Sequence, residues 1–218
     1  MSEHLTVEVV DSEVASGDTR LGFFRKAAGG GALVIGGVAV GGLPVLAEAA
    51  PSARQDRAIL NFALLLEYLE AEFYTQAEAQ GTAIQGELRR FAEIVGAHER
   101  AHRDFLIKTL GAAARAKPTF DFRDTITDPT KFRQTAQALE DLGVSAYLGQ
   151  ATRLRRATLA VAATIASVEA RHASWIRDIN RKLAGTDQPL PAPSPFDKAR
   201  TKAQVEALVG QTGFVQSA

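Results

Sequence analysis

Glu99-Arg100-Ala101-His102 and Glu169-Ala170-Arg171-His172 are two copies of one pattern, Glu-x-x-His. On a helix this spacing puts a carboxylate and an imidazole on one face, a turn apart. Two further glutamates are each followed seven residues later by a tyrosine: Glu67 by Tyr74, and Glu140 by Tyr147. The chain therefore reads Glu–Tyr, Glu-x-x-His, and then the same again. The Glu-to-Glu gaps are 32 residues (67 to 99) and 29 residues (140 to 169). That is an internal duplication of a two-helix unit.

Four glutamates and two histidines aimed into a core would each cost several kcal/mol if left alone. Two divalent cations bring four carboxylates to neutrality. Carboxylates can bridge the ions, and each histidine completes the shell of one. This assigns Glu67, Glu99, His102, Glu140, Glu169 and His172 as metal ligands. Tyr74 and Tyr147 are placed to hydrogen-bond ligand carboxylates from behind. The same helix face carries Glu70, and the repeat decides between the two. Glu67 is in register with Glu140, whereas Glu70 is in register with Gly143. Glu67 is thus the expected ligand, and Glu70 a supporting residue or an alternate ligand. Hard oxygen donors with only two imidazoles suit iron or manganese, and geometry rather than affinity must exclude zinc and copper.

Long helices are needed to hold these residues. Ser52-Ala53-Arg54-Gln55 has the form of a capping box. From there to Gln80, Ile59, Phe62, Ala63, Leu66, Leu69 and Phe73 recur at three- and four-residue steps, which predicts one helix stopped by Gly81. Thr82-Ala83-Ile84-Gln85 offers a second box, for a helix running to about Leu110-Gly111. Residues 117–127 read as a connection. Asp128-Pro129 reads as an N-cap with proline at the first helical position, opening a third helix to about Gly149. The fourth covers about 155–183 and ends at Gly185. Pro189, Pro191, Pro193 and Pro195 form a stiff linker, and Thr201-Lys202-Ala203-Gln204 caps a short last helix. No segment of 51–218 reads as a strand. The domain reading is residues 50–186 as a four-helix bundle with one crossover, followed by a linker and helix at 187–218.

This pattern resembles the ferritin-like superfamily of dimetal-carboxylate proteins, whose ligands are one Glu from each of two helices and Glu-x-x-His from each of the other two. Segments 64–74, 98–106, 139–148 and 168–175 are similar to the bacterial ferritin-like domain family related to desiccation-associated proteins, over residues 54–184. The resemblance implies an all-α, ferritin-like four-helix bundle with one long crossover and a short extra C-terminal helix. It implies a complete centre, because all six ligand positions are filled. It leaves the reaction open. One expectation is an oxidoreductase acting on O2, peroxide or ferrous ion. A second is a non-catalytic structural or desiccation-stress protein that keeps two ions for stability. A hollow iron-storage cage or another homo-oligomer stays open as well.

His98-Glu99-Arg100-Ala101-His102 also spells the zinc-peptidase motif His-Glu-x-x-His. The second copy has Val168 where His98 stands, so only Glu-x-x-His repeats. His98 is expected to be solvated or to support the ligands. Glu72, Glu78, Glu87 and Glu93 read as surface carboxylates, and Phe105 and Trp175 as core packing. Arg153, Arg155 and Arg156 read as a solvated face.

Composition agrees. The 218 residues carry 25 Lys+Arg and 25 Asp+Glu, so no basic excess favours nucleic acid. With no cysteine, disulfides, thiol catalysis and cysteine-held metal clusters are excluded. Residues 1–49 are different in kind. The first 19 are acidic, without Lys or Arg, and 21 uncharged residues with seven glycines follow Lys26. Ala47-Glu48-Ala49 has the small-x-small form that signal peptidase cuts. The charged segment resembles a twin-arginine export signal. Arg20 matches the first arginine, Leu21 replaces the second, and Phe23-Phe24-Arg25-Lys26 fits. The expectation is export to the periplasm or exterior, with a membrane anchor through 20–47 if uncleaved, or else a disordered leader.

Overall fold

The computed structural model describes residues 50–81 and 84–217. The expected export segment and the Thr82 box lie outside the described residues. The described residues form one compact unit. Its helices are α1 (Ala53–Ala79), α2 (Gly86–Leu110), α3 (Pro129–Ala151), α4 (Arg156–Ala184) and α5 (Lys202–Thr212). No helix among the described residues is long and apolar enough to cross a membrane.

Helix boundaries follow local chemistry. Ser52 accepts from the Gln55 amide at 3.2 Å, and Asp128 accepts from the Thr130 and Lys131 amides at 2.8 and 2.9 Å ahead of Pro129. Thr201 and Gln204 form a full reciprocal capping box on α5. α2 departs from expectation: it starts at Gly86, with Gln85 as an N-cap whose side chain makes no capping bond. α4 likewise has no side-chain cap of its own. Its N-terminus is closed from α1 instead. Buried Asp56 accepts from the Arg155 amide (3.1 Å), from Arg155 Nε (2.7 Å) and from the Thr158 hydroxyl. Arg155, expected on a solvated face, therefore joins two helices.

α1 pairs with α2 and α3 with α4, as two hairpins should. The predicted α1 face is buried, from Ile59 to Phe73. Phe73 stacks on Phe132 at 5.2 Å and meets Phe122 edge-on at 5.3 Å. The buried apolar residues form two clusters, one containing Tyr74 and the other Tyr147. Along α2 the first cluster holds Phe91 and Val95, and the second holds Leu106 and Leu110. Glu99 and His102 fall between them. Along α4, Glu169 and His172 lie between Ile165 of one cluster and Ile176 of the other.

The C-terminal helix is part of this core. Val205, Val209 and Phe214 are buried within the first cluster. Their docking brings the chain end to the α2–α3 connection, where β1 (Thr119–Phe120) pairs antiparallel with β2 (Val215–Ser217). This corrects the strand-free reading. Strands of two and three residues are too short to leave an alternation pattern, and a tertiary contact makes them. The chain before α5 passes close to α3: the Arg200 amide donates to the Ser145 carbonyl at 3.0 Å. A Cβ on Gly149 would overlap the Arg200 carbonyl. Gly149→Ala is thus expected to cost about 1–3 kcal/mol, the usual range for overpacking. Thermal unfolding, together with faster proteolysis beyond Gly185, checks it.

Candidate metal centre

Four helices each send acidic side chains to one point. α1 supplies Glu67 and Glu70, α2 Glu99, α3 Glu140 and α4 Glu169, and all five are buried. His102 and His172 join them. The donor atoms form two sets, Glu67–Glu99–His102–Glu169 and Glu99–Glu140–Glu169–His172, each with its atoms within 4.8 Å of one another. All six residues read as ligands from the repeat are thus brought together. Glu99 and Glu169 belong to both sets. His102 Nδ1 lies 3.1 Å from Glu169, 3.3 Å from Glu99 and 3.5 Å from Glu67. His172 Nδ1 lies 2.9 Å from Glu99 and 3.2 Å from Glu140.

The tyrosines bond crosswise. Tyr74 of α1 donates to Glu140 of α3, and Tyr147 of α3 donates to Glu67 of α1. Each hairpin's tyrosine thereby holds the other hairpin's glutamate. Glu70 is in neither set. It lies beside Gly143, where an added Cβ would sit 3.2 Å from Glu70 Oε1 and 2.9 Å from Glu169 Oε2. The small residue at 143 leaves room for carboxylates. Gly96 serves packing instead: a Cβ there would meet Tyr74 Cβ at 2.8 Å.

Electrostatics set this cluster apart from the surface. Burial, and then the charge of Glu99, pushes Glu67 up to about 7. The same two causes raise Glu140. Burial first, with Glu169 or Glu99 next, holds Glu70 and Glu169 well above the usual carboxylate range. Burial also opposes ionised Glu99, but the two adjacent imidazoles override it and bring that group to about 2. Burial disfavours imidazolium as well. Carboxylate partners nevertheless lift His102 to about 12 and His172 to about 10. Burial, and then the adjacent glutamate, pushes both tyrosines well up.

Glu67 Oε2, Glu99 Oε1, Glu140 Oε2, both oxygens of Glu169 and His172 Nδ1 are buried without a hydrogen bond. Leaving such groups unsatisfied costs roughly 1–3 kcal/mol each, more for charged ones. Cations placed among them would satisfy all of them, so the donor set fits metal ions. The carboxylates read as surface groups have ordinary partners: Glu78 with Arg100 at 2.9 Å, Glu93 with Arg89 at 2.8 Å, Glu87 with Lys182 at 3.1 Å and Glu72 with Lys117.

One detail departs from expectation. Phe105 is 42% exposed, because Leu106 takes the inward position on that turn. Trp175 is half-buried, meeting Phe91 edge-on at 5.2 Å. His98 turns its Nδ1 to His172 Nε2 at 2.9 Å and belongs to neither donor set. Among the described residues, no donor set joins His98 to His102 as the peptidase motif requires.

A sequence search finds no match among curated proteins. The family model for the ferritin-like domain matches residues 55–182. This match spans more than half of the chain and runs through the four bundle helices, so the protein belongs to the ferritin-like domain family.

Proposed function

We propose that this chain is an exported dimetal-carboxylate oxidoreductase acting on O2, peroxide or ferrous ion. Glu67, Glu99, His102 and Glu169 would hold one divalent ion, and Glu99, Glu140, Glu169 and His172 the other. The observation that carries this reading is the sharing of Glu99 and Glu169 between two four-residue donor sets. The donor chemistry, mainly hard carboxylate oxygens, favours iron or manganese. When bound, such ions supply the electrons that reduce dioxygen or peroxide.

The chain's own residues do the rest. Tyr74 and Tyr147 orient Glu140 and Glu67 by donating to them. The two apolar clusters keep bulk water from the carboxylates. The glutamates of the two sets have fully buried side chains, and His172 is 4% exposed, whereas His102 is 12% exposed. His102 is thus the member of the two sets most accessible to solvent, and a small molecule or ion would approach from its side. Residues 1–49 fit the proposal as the segment that directs export.

The test is metal content per chain after reconstitution without oxygen, followed by exposure to O2 or peroxide. Two iron or two manganese ions with an optical change on exposure are the expected result. Two ions without a response would make the protein a metal-stabilised structural or stress protein. One zinc per chain would return the peptidase motif to consideration, and no metal would refute the centre.

A further inference from the structure

His172 meets the centre with one ring nitrogen and His98 with the other. Its Nδ1 faces Glu99 and Glu140, at 2.9 and 3.2 Å. Its Nε2 lies 2.9 Å from His98 Nδ1. The His98 and His172 rings are close to coplanar, their planes 17° apart and their centroids 5.2 Å apart, so the 2.9 Å contact joins them edge to edge; the His102 ring lies 6.2 Å from that of His172 at 27°. His172 is buried, whereas His98 is exposed. No other hydrogen bond to His172 Nε2 is made among the described residues.

We infer that His98 is the positioning residue for His172: it accepts the Nε2 proton and so keeps Nδ1 free to bind an ion. A neutral imidazole carries one proton, so the bond made at one nitrogen decides what the other can do. If Nδ1 is to serve as a ligand, the proton must sit on Nε2, and a buried N–H needs an acceptor. His98 Nδ1 is that acceptor, with its own proton on Nε2. Hydrogen bonds of this kind fix ring orientation and ligand basicity. The role is one-sided. In the repeat, His98 corresponds to Val168, which cannot accept a proton, so the repeat supplies no equivalent partner for His102. The two halves of the centre therefore differ in how rigidly the histidine is held. The assignment explains why His98 faces away from the set containing His102, despite the four-residue spacing that suggests a shared zinc.

This inference rests on the dimetal reading, and the experiment separates the two. Zinc is a suitable probe because it is diamagnetic and takes the same donors. Calorimetric titration of zinc would be run on the wild type, His98→Leu and His98→Asn. Nitrogen-resolved NMR of the zinc-loaded wild type would read the His172 tautomer. The expected result is two zinc ions on the wild type and a proton on His172 Nε2. In His98→Leu, one of the two ions should bind about 10- to 100-fold more weakly, while the other is unaffected. His98→Asn, which keeps an acceptor oxygen near the Nδ1 position, should restore the weakened ion. Wild-type affinity for both ions in His98→Leu would overturn the role, as would a proton on Nδ1 in the loaded wild type. The NMR result needs no variant and so does not depend on how either one folds. Failure of the wild type to bind two ions would instead overturn the dimetal reading and, with it, the inference.

Discussion

Glu99→Ala is expected to cost the protein both ions, and Glu169→Ala the same. Each of these carboxylates belongs to both donor sets, whereas Glu67 and Glu140 belong to one each. Four-ligand structural zinc sites bind with about 10–16 kcal/mol, which sets the scale. One ligand in four is then worth roughly 3 kcal/mol, or about 100-fold in affinity for each ion. Glu67→Ala and Glu140→Ala should each spare one ion. Glu78→Ala should spare both, because Glu78 pairs with Arg100 outside the cluster. Elemental analysis of the reconstituted variants gives the count directly. Equal metal content in the Glu99, Glu169 and Glu78 variants would refute the assignment.

The second large effect is a change in how stability follows pH. Without metal, folded Glu67 titrates near 7 against 4.5 for a free glutamate. The folded state therefore holds a proton that the unfolded state has lost, and stability falls as pH rises through that window. His102 and His172, at about 12 and about 10 against 6.5, act in the same direction. Their contribution is complete below pH 6.5 and is lost as pH climbs towards the folded values. Glu99, at about 2, runs the other way: its contribution is present above pH 4.5 and is lost only as pH drops towards 2. The metal-free protein should therefore be most stable in mild acid and weaken steadily up to pH 9. Metal binding expels these protons, so the stabilisation it brings must grow with pH. At 100 times the dissociation constant, two ions add about 5 kcal/mol. For a unit of this size that is a rise in Tm of roughly 10–20 °C. Thermal unfolding from pH 5 to 9, with and without a chelator, should show a difference that widens with pH. A difference constant across pH would contradict the electrostatic account.

The centre was legible in the sequence because it is written twice. One Glu-x-x-His on a helix means little, but two in register with Glu–Tyr pairs single out Glu67 from Glu70 on the same face. In the structure Glu67 falls inside a donor set and Glu70 outside both. Caps written in adjacent residues were equally readable, as at Asp128 and Thr201. What escaped depends on residues far apart in the chain. Asp56 closes the N-terminus of α4 from 99 residues away, and no local pattern announces such a cap. The β1–β2 pair exists because α5 docks where it does. The outward turn of Phe105 and the contact between His98 and His172 depend on how α2 is rotated against α4, which helical periodicity leaves open.

Glu70 and Gly143 occupy the same place in the two halves of the repeat, and they lie side by side, with Glu70 Oε1 3.2 Å from where a Cβ on residue 143 would sit. In an assembly of two identical hairpins these positions would be one and the same residue. Glycine at both would forfeit the fifth carboxylate, and glutamate at both would force a side chain into the space that Glu70 and Glu169 already fill. A fused chain, unlike a pair of identical hairpins, can give the two sites different residues. The symmetry breaking at this pair is therefore a trait that covalent linkage of the halves makes accessible.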